Sequence, residues 1–192
     1  SKQVQDAYIV AATRTPIGKS HKGYLRNMRP DDLLATTMKA VLAQVPGLDP
    51  QAIEDVVCGC AIPEAQQGLN VARISAVLAG LPVGVGGVTV NRFCASGLTA
   101  LQMAADRIRV GEADVMIAAG VESMSMVPMM GNSPSLSPSI FEREGDVGIA
   151  YGMGLTAEKV AQRWKVSRDA QDVFALQSHQ RALAAQQAGD FA

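Results

Sequence analysis

The stretch Val88-Thr-Val-Asn-Arg-Phe-Cys94-Ala-Ser-Gly97-Leu-Thr-Ala-Leu-Gln-Met-Ala-Ala-Asp-Arg-Ile-Arg109 constrains the fold more than any other part of this chain. Val88 to Val90 are β-branched and follow Gly84, Gly86 and Gly87, the pattern of a short interior strand. From Ser96 the period lengthens. Leu98, Leu101, Ala105 and Ile108 recur at helical spacing, with Gln102, Asp106 and Arg109 on other faces. Cys94 falls at the joint, where unpaired backbone N–H groups and the positive end of a helix dipole favour an anion. A cysteine so placed is a candidate nucleophile. A free cysteine is as commonly a small, inert core residue, and the spacing leaves both readings open.

Strands and helices alternate through the rest of the first 120 residues. Residues 7–12 form an apolar run that predicts a first buried strand, ended by the turn around Pro16 and Gly18. Residues 31–45 predict a helix: Pro30 precedes it, Asp31 and Asp32 lie in its first turn, and Leu33, Leu34, Thr37, Met38, Val41 and Leu42 form its apolar stripe. Residues 49–54 read as a short capped turn and 55–60 as the next strand. Residues 67–80 read as a loop followed by a helix that Gly80 and Pro82 stop. Residues 114–119 predict another interior strand. This alternation is the pattern of an α/β layer with a mostly parallel sheet. The composition then changes. Met124, Met126, Met129 and Met130 crowd one short stretch, either as gap filling or as an adaptable apolar binding surface. An extended Ser- and Pro-rich loop follows over 132–139. Thr156 is expected to cap a helix over 157–164, and Ser167 a long one over 168–188 with Val173, Phe174, Leu176 and Leu183 on its apolar side.

Charge and cysteine usage narrow the function classes. At 192 residues and net charge −1, the chain is about one domain, or one and a part, with no basic surplus to suit nucleic acid or an anionic membrane as main partner. No apolar run approaches the ~18 residues of a membrane span. Residues 1–6 lack the pattern of a secretory signal. Three cysteines without an even framework suit a reducing compartment, so a cytoplasmic location is expected. Cys58 and Cys60 face one side of a strand. Core packing is the expected role, because a structural zinc needs four ligands and no second cluster exists; no metal is expected. Arg14, Lys19, His21 and Lys22 make a basic loop, read either as solvated or as a contact to an anionic group or another subunit.

At Asn91-Arg-Phe-Cys94-Ala-Ser-Gly97-Leu the chain resembles the thiolase family of acyl-CoA acyltransferases. The resemblance runs nearly end to end. It includes Arg14-Thr-Pro-Ile-Gly18, Gly68-Leu-Asn-Val-Ala-Arg73, Gly120-Val-Glu-Ser-Met-Ser-Met126 and Met153-Gly-Leu-Thr-Ala-Glu158. It implies an α/β thiolase-like half-fold: a five-stranded mixed sheet with helices on both faces over 1–120, then part of a helical loop domain over 121–192. It also implies a second, topologically similar half as partner. Cys94 would attack the 3-keto carbonyl of a 3-ketoacyl-CoA and carry the shortened acyl group as a thioester, with its own backbone N–H helping to hold the oxyanion. Coenzyme A is then a co-substrate and no cofactor stays bound. Family members are dimers or tetramers, so a homo-oligomer of complete subunits is expected.

The chain departs from the family pattern in one respect. The activating histidine, the second cysteine that exchanges a proton with the acetyl-CoA carbon, and the asparagine that orients a water belong to the family's second half. His21 and His179 lie in other contexts, and Cys60 is followed by Ala-Ile-Pro rather than by glycines. The 192 residues therefore read as half a thiolase, not expected to turn over alone. Gly152 and Met153 are the expected substrate-binding residues. Gly152 stands where short-chain members usually carry a histidine, which favours a degradative 3-ketoacyl-CoA thiolase of β-oxidation over an acetyl-CoA acetyltransferase. A non-catalytic assembly module is the alternative from another class. A carrier-protein condensing enzyme is a more remote one.

Overall fold

The computed structural model describes residues 4–143, 145 and 147–191. Residues 1–3, on which the lack of a secretory signal partly rests, and Ala192 lie outside the described residues. The chain divides into two compact units, Ser1–Pro134 and Ser135–Ala192.

The first unit carries helix α1 (Pro30–Ala43), strand β1 (Ile53–Gly59), helix α2 (Val71–Leu78), strand β2 (Val88–Val90), helix α3 (Ser96–Arg109) and strand β3 (Val115–Gly120). The strands form one sheet in the order β2-β1-β3, with both pairings parallel. Gly59 of the central strand stands opposite Val90 on one side and Gly120 on the other, so all three strands end in one layer.

Local chemistry explains each element. Pro30 opens α1 and Asp31 and Asp32 sit at its positive end. Asp49 accepts a hydrogen bond from the Gln51 N–H (2.9 Å) in the turn that enters β1. Asn70 caps α2 by accepting from the Arg73 N–H (3.3 Å), and donates to the Gly87 carbonyl (2.8 Å) ahead of β2. Alternation along the strands then sorts residues to two faces. Val56, Cys58 and Cys60 pack with Leu34 and Met38 of α1 and Val71, Ala72 and Ala76 of α2. Val57, with Val88, Val90, Met116 and Ala118, packs against Ala100 and Ala104 of α3 on the other face. Handedness requires this. The chain moves one way from β1 to β2 and the opposite way from β2 to β3, so two right-handed crossovers must use opposite faces.

Three expectations are corrected. The sheet has three parallel strands, not five in a mixed arrangement. Residues 7–12 join no strand, leaving Tyr8 (78%) and Val10 (81%) exposed. Single contacts hold this segment: the Gln5 N–H donates to the Arg109 carbonyl (3.0 Å), and the Gln44 side chain to the Ala12 carbonyl (3.2 Å). An apolar run states what should be buried, but a ladder needs a neighbour, and among the described residues none reaches this run. Second, α3 buries Ser96, Ala100 and Ala104, while Leu98 is 71% exposed and Leu101 is exposed too. The sheet surface beneath α3 admits only small side chains. Third, the second unit's helix α4 (Met153–Trp164) starts at Gly152 as its N-cap. Thr156 lies inside its first turn, its hydroxyl donating to the Gly152 carbonyl (3.2 Å). Helix α5 (Arg168–Ala188) is capped by Ser167, which accepts from the Ala170 N–H (3.2 Å), and ends at Gly189 with φ +79°. Val173, Phe174, Leu176 and Leu183 are exposed along it. Among the described residues no helix is long and apolar enough to cross a membrane.

Candidate active site

Neighbouring strands β1 and β2 send the chain to opposite faces of the sheet. Such a divergence opens a crevice outside the carboxyl ends of parallel strands, where α/β folds place their ligands. Cys94 is on the turn that leaves β2 there.

The turn is held by side chains on both sides of the cysteine. The Asn91 carboxamide oxygen accepts from the Phe93 N–H (2.8 Å). The Ser96 hydroxyl accepts from the Arg92 N–H (2.8 Å) and donates to the Phe93 carbonyl (2.6 Å). Ser96 itself is only 3% exposed. These bonds hold Phe93 at φ +46°, a left-handed conformation that a bulky residue adopts only when its surroundings impose it. Cys94 follows, exposed, one residue before the Ala95 N-cap, which contributes no side-chain bond to the first turn of α3.

Glycines bring the start of α3 down onto the sheet. A Cβ at Gly59 would meet the main chain of Ser96 and Gly97 at 2.3–2.6 Å, and Gly120 lies next to Gly97. The sequence signal for this was the isolated glycine between Cys58 and Cys60, since glycine within a strand marks a close backbone approach.

Cys58 and Cys60 flank Gly59 and are buried under α1 and α2. Burial is the main cause that pushes both thiols up to about 12, with Cys60 and Glu122 adding to it at Cys58 and Glu122 at Cys60. Both stay protonated at neutral pH. Among the described residues no cluster of three or more His, Cys, Asp or Glu could hold a metal ion.

A polar network that the sequence did not announce ties the exits of β1 and β3 together. The Glu122 carboxylate accepts from the Ala61 N–H (2.6 Å) and from the side-chain amide of fully buried Gln67. Gln67 also donates to the Ile62 carbonyl (2.8 Å) and accepts from the Ser123 N–H (3.0 Å). Residues 14–18 form a largely exposed loop with Lys19, His21 and Lys22. The His21 N–H donates to the Ser125 hydroxyl (2.9 Å). Among the described residues of the first unit, His21 does not hydrogen-bond Cys94. Met124, Met129 and Met130 are exposed rather than filling the core. Gly152 and Met153 open α4 in the second unit; a Cβ at Gly152 would meet nothing within 4 Å, and Met153 is exposed.

The model of the thiolase N-terminal domain matches residues 7–192. The chain belongs to the thiolase family. It is 46% identical over 188 residues to a 3-ketoacyl-CoA thiolase of Bacillus subtilis, covering 98% of this chain and 47% of that relative. It is 44% identical over 192 residues to a 3-ketoacyl-CoA thiolase of Aeromonas hydrophila, covering 98% and 48%. Its fold is similar to the crystal structure of the Bacillus anthracis acetyl-CoA acetyltransferase, with a TM-score of 0.81 at 31% identity, covering 98% of this chain and 50% of that one. The chain therefore spans about half the length of the relatives it matches, and its fold is the α/β half-domain of a thiolase.

Proposed function

We propose that this chain is the nucleophile-bearing half of a 3-ketoacyl-CoA thiolase, made of an α/β domain over 1–120 and part of a loop domain over 121–192. The observation that carries the reading is the exposed Cys94 sulfur, held on a constrained turn beyond the carboxyl ends of the strands. The Cys94 thiolate attacks the 3-keto carbon of a 3-ketoacyl-CoA, and the oxygen takes up negative charge with the Cys94 N–H as one donor. Collapse breaks the Cα–Cβ bond. Its electron pair leaves with acetyl-CoA as an enolate, which takes up a proton, and the shortened acyl group remains as a thioester on Cys94. The sulfur of coenzyme A then attacks that thioester and releases Cys94. The histidine, second cysteine and asparagine that complete the cycle belong to the complementary half, so the fragment alone does not turn over.

Gly152 and Met153 are proposed to line the acyl site. The missing side chain at Gly152 is read as room for a longer chain and for β-oxidation, in line with the 3-ketoacyl-CoA thiolase names of the relatives. Acetoacetyl-CoA formation is the second reading, favoured by the likeness to an acetyl-CoA acetyltransferase. Three unpaired thiols suit the cytoplasm, and complete subunits are proposed to form a homo-oligomer.

The test is intact-mass analysis of the chain assembled with its complementary half and incubated with a 3-ketoacyl-CoA. An acyl adduct is expected on the parent chain and none on Cys94→Ala. A complete assembly that carries no adduct sinks the catalytic reading and leaves an assembly module.

A further inference from the structure

We propose that Gly59 is a positioning residue for Cys94: by lacking a Cβ, it seats the first turn of α3 directly on the backbone of β1 and so fixes where the Cys94 turn stands. The inference rests on the reading of Cys94 as a nucleophile. A Cβ at Gly59 would lie 2.3 Å from the Ser96 carbonyl carbon, 2.5 Å from the Gly97 nitrogen and 2.6 Å from the Ser96 oxygen. All three are main-chain atoms, so no rotamer change relieves the clash.

The strand is poorly placed to yield. The Gly59 carbonyl accepts from the Val121 N–H (3.0 Å), the Cys60 N–H donates to the Val90 carbonyl (3.0 Å), and both flanking cysteines are buried in the core. The helix start must therefore lift. Ser96 is also the residue whose hydroxyl bridges the Arg92 N–H and the Phe93 carbonyl. Displacement at Ser96 thus passes straight into the two residues before Cys94, and moves the sulfur relative to the helix N-terminus that favours an anion.

Neighbouring glycines supply controls. A Cβ at Gly120 would stand 3.7 Å from the Gly97 Cα and the Gly59 oxygen, an ordinary contact. Gly87 makes a second close seat, 2.7 Å from the Arg73 Cα, against α2 on the other face. Gly87→Ala therefore disturbs the seating of a helix on the sheet without reaching the Cys94 turn.

The experiment follows iodoacetamide labelling of each cysteine against pH by peptide mass spectrometry, in the full chain and its variants. Gly59→Ala is expected to slow Cys94 labelling at neutral pH by about two- to fivefold, the size of a helix-end charge interaction. Its rate should fall below the parent's at every pH compared, while Cys58 and Cys60 stay protected. Gly120→Ala and Gly87→Ala should leave the Cys94 profile in place. An unchanged profile in Gly59→Ala, or an equal shift in Gly87→Ala, overturns the inference. If Gly59→Ala exposes Cys58 and Cys60, Ser96→Ala removes the same bridge without added bulk, and an unmoved profile there is the overturning result. A parent Cys94 that reacts no faster than cysteine in an unstructured peptide removes the nucleophile reading itself, before any variant is compared.

Discussion

Cys94, Cys58 and Cys60 share one side-chain chemistry and lie in two different surroundings. Cys94 is exposed because Phe93 is held left-handed by Asn91 and Ser96, which turns the chain out of the sheet before α3 begins. Cys58 and Cys60 sit on the strand that this turn overlies, sealed under α1 and α2. Their pKa values near 12, against an ordinary 9.0, have a consequence for stability. Below 9.0 both thiols are neutral in the folded and unfolded chain alike. Between 9.0 and about 12 the unfolded chain loses their protons while the folded chain keeps them, so stability falls as pH rises through that window. Denaturant midpoints measured across it should fall with pH, and fall less steeply in Cys58→Ala. Equal slopes would mean that Cys58 is not sealed. The core role of Cys58 and Cys60 was legible in the sequence from their shared strand face; how far burial raises their pKa was not, because that depends on elements distant in the chain.

Among the elements, α3 carries the clearest lesson. Its existence and extent follow from periodicity, as do those of α1 and α5, whose cap at Ser167 stood in the sequence; the cap of α2 at Asn70 emerged only in the structure. The orientation of α3 did not follow. Apolar spacing selects Leu98 and Leu101, but the helix lies so close to the sheet that only Ser96, Ala100 and Ala104 fit beneath it. Gly59 and Gly120 bring the start of the helix close to the strands, and Ala100 and Ala104 follow it down onto Val57. Ala104→Leu is therefore expected to destabilise the chain by about 1–3 kcal/mol through overpacking. Leu98→Ser, at an exposed position, should stay within about 0.5 kcal/mol. Chemical denaturation of both variants checks the pair, and the reverse order would restore the larger face as the buried one.

For the whole chain, the parallel order β2-β1-β3 leaves β3 with one side unpaired among the described residues. The apolar run over 7–12 is likewise unpaired, and Leu98 stands in water on α3. Exposed strand edges and apolar patches of this kind invite pairing with other chains. The isolated 192-residue chain is accordingly expected to self-associate as its concentration rises, and Ile9→Lys to reduce this without lowering the thermal midpoint. Sedimentation velocity over a concentration series reads the first effect, and a monomer at every concentration would contradict it. The strand pattern over 7–12 is correct in composition and unfulfilled in pairing. A sequence states what a segment can bury; its ladder partner need not lie in the same stretch of chain.

The contrast among the three sulfurs also sets how this protein behaves in air. Two of them are locked away as neutral thiols, so the folded chain presents a single disulfide-forming valence, at Cys94. A molecule with one such valence can be bridged to one other molecule and no further. Stored without reductant, it should give a covalent pair on a non-reducing gel and no ladder above it. The same bridge would occupy the one sulfur on which the proposed chemistry depends, so the covalent pair should carry no acyl group until it is reduced.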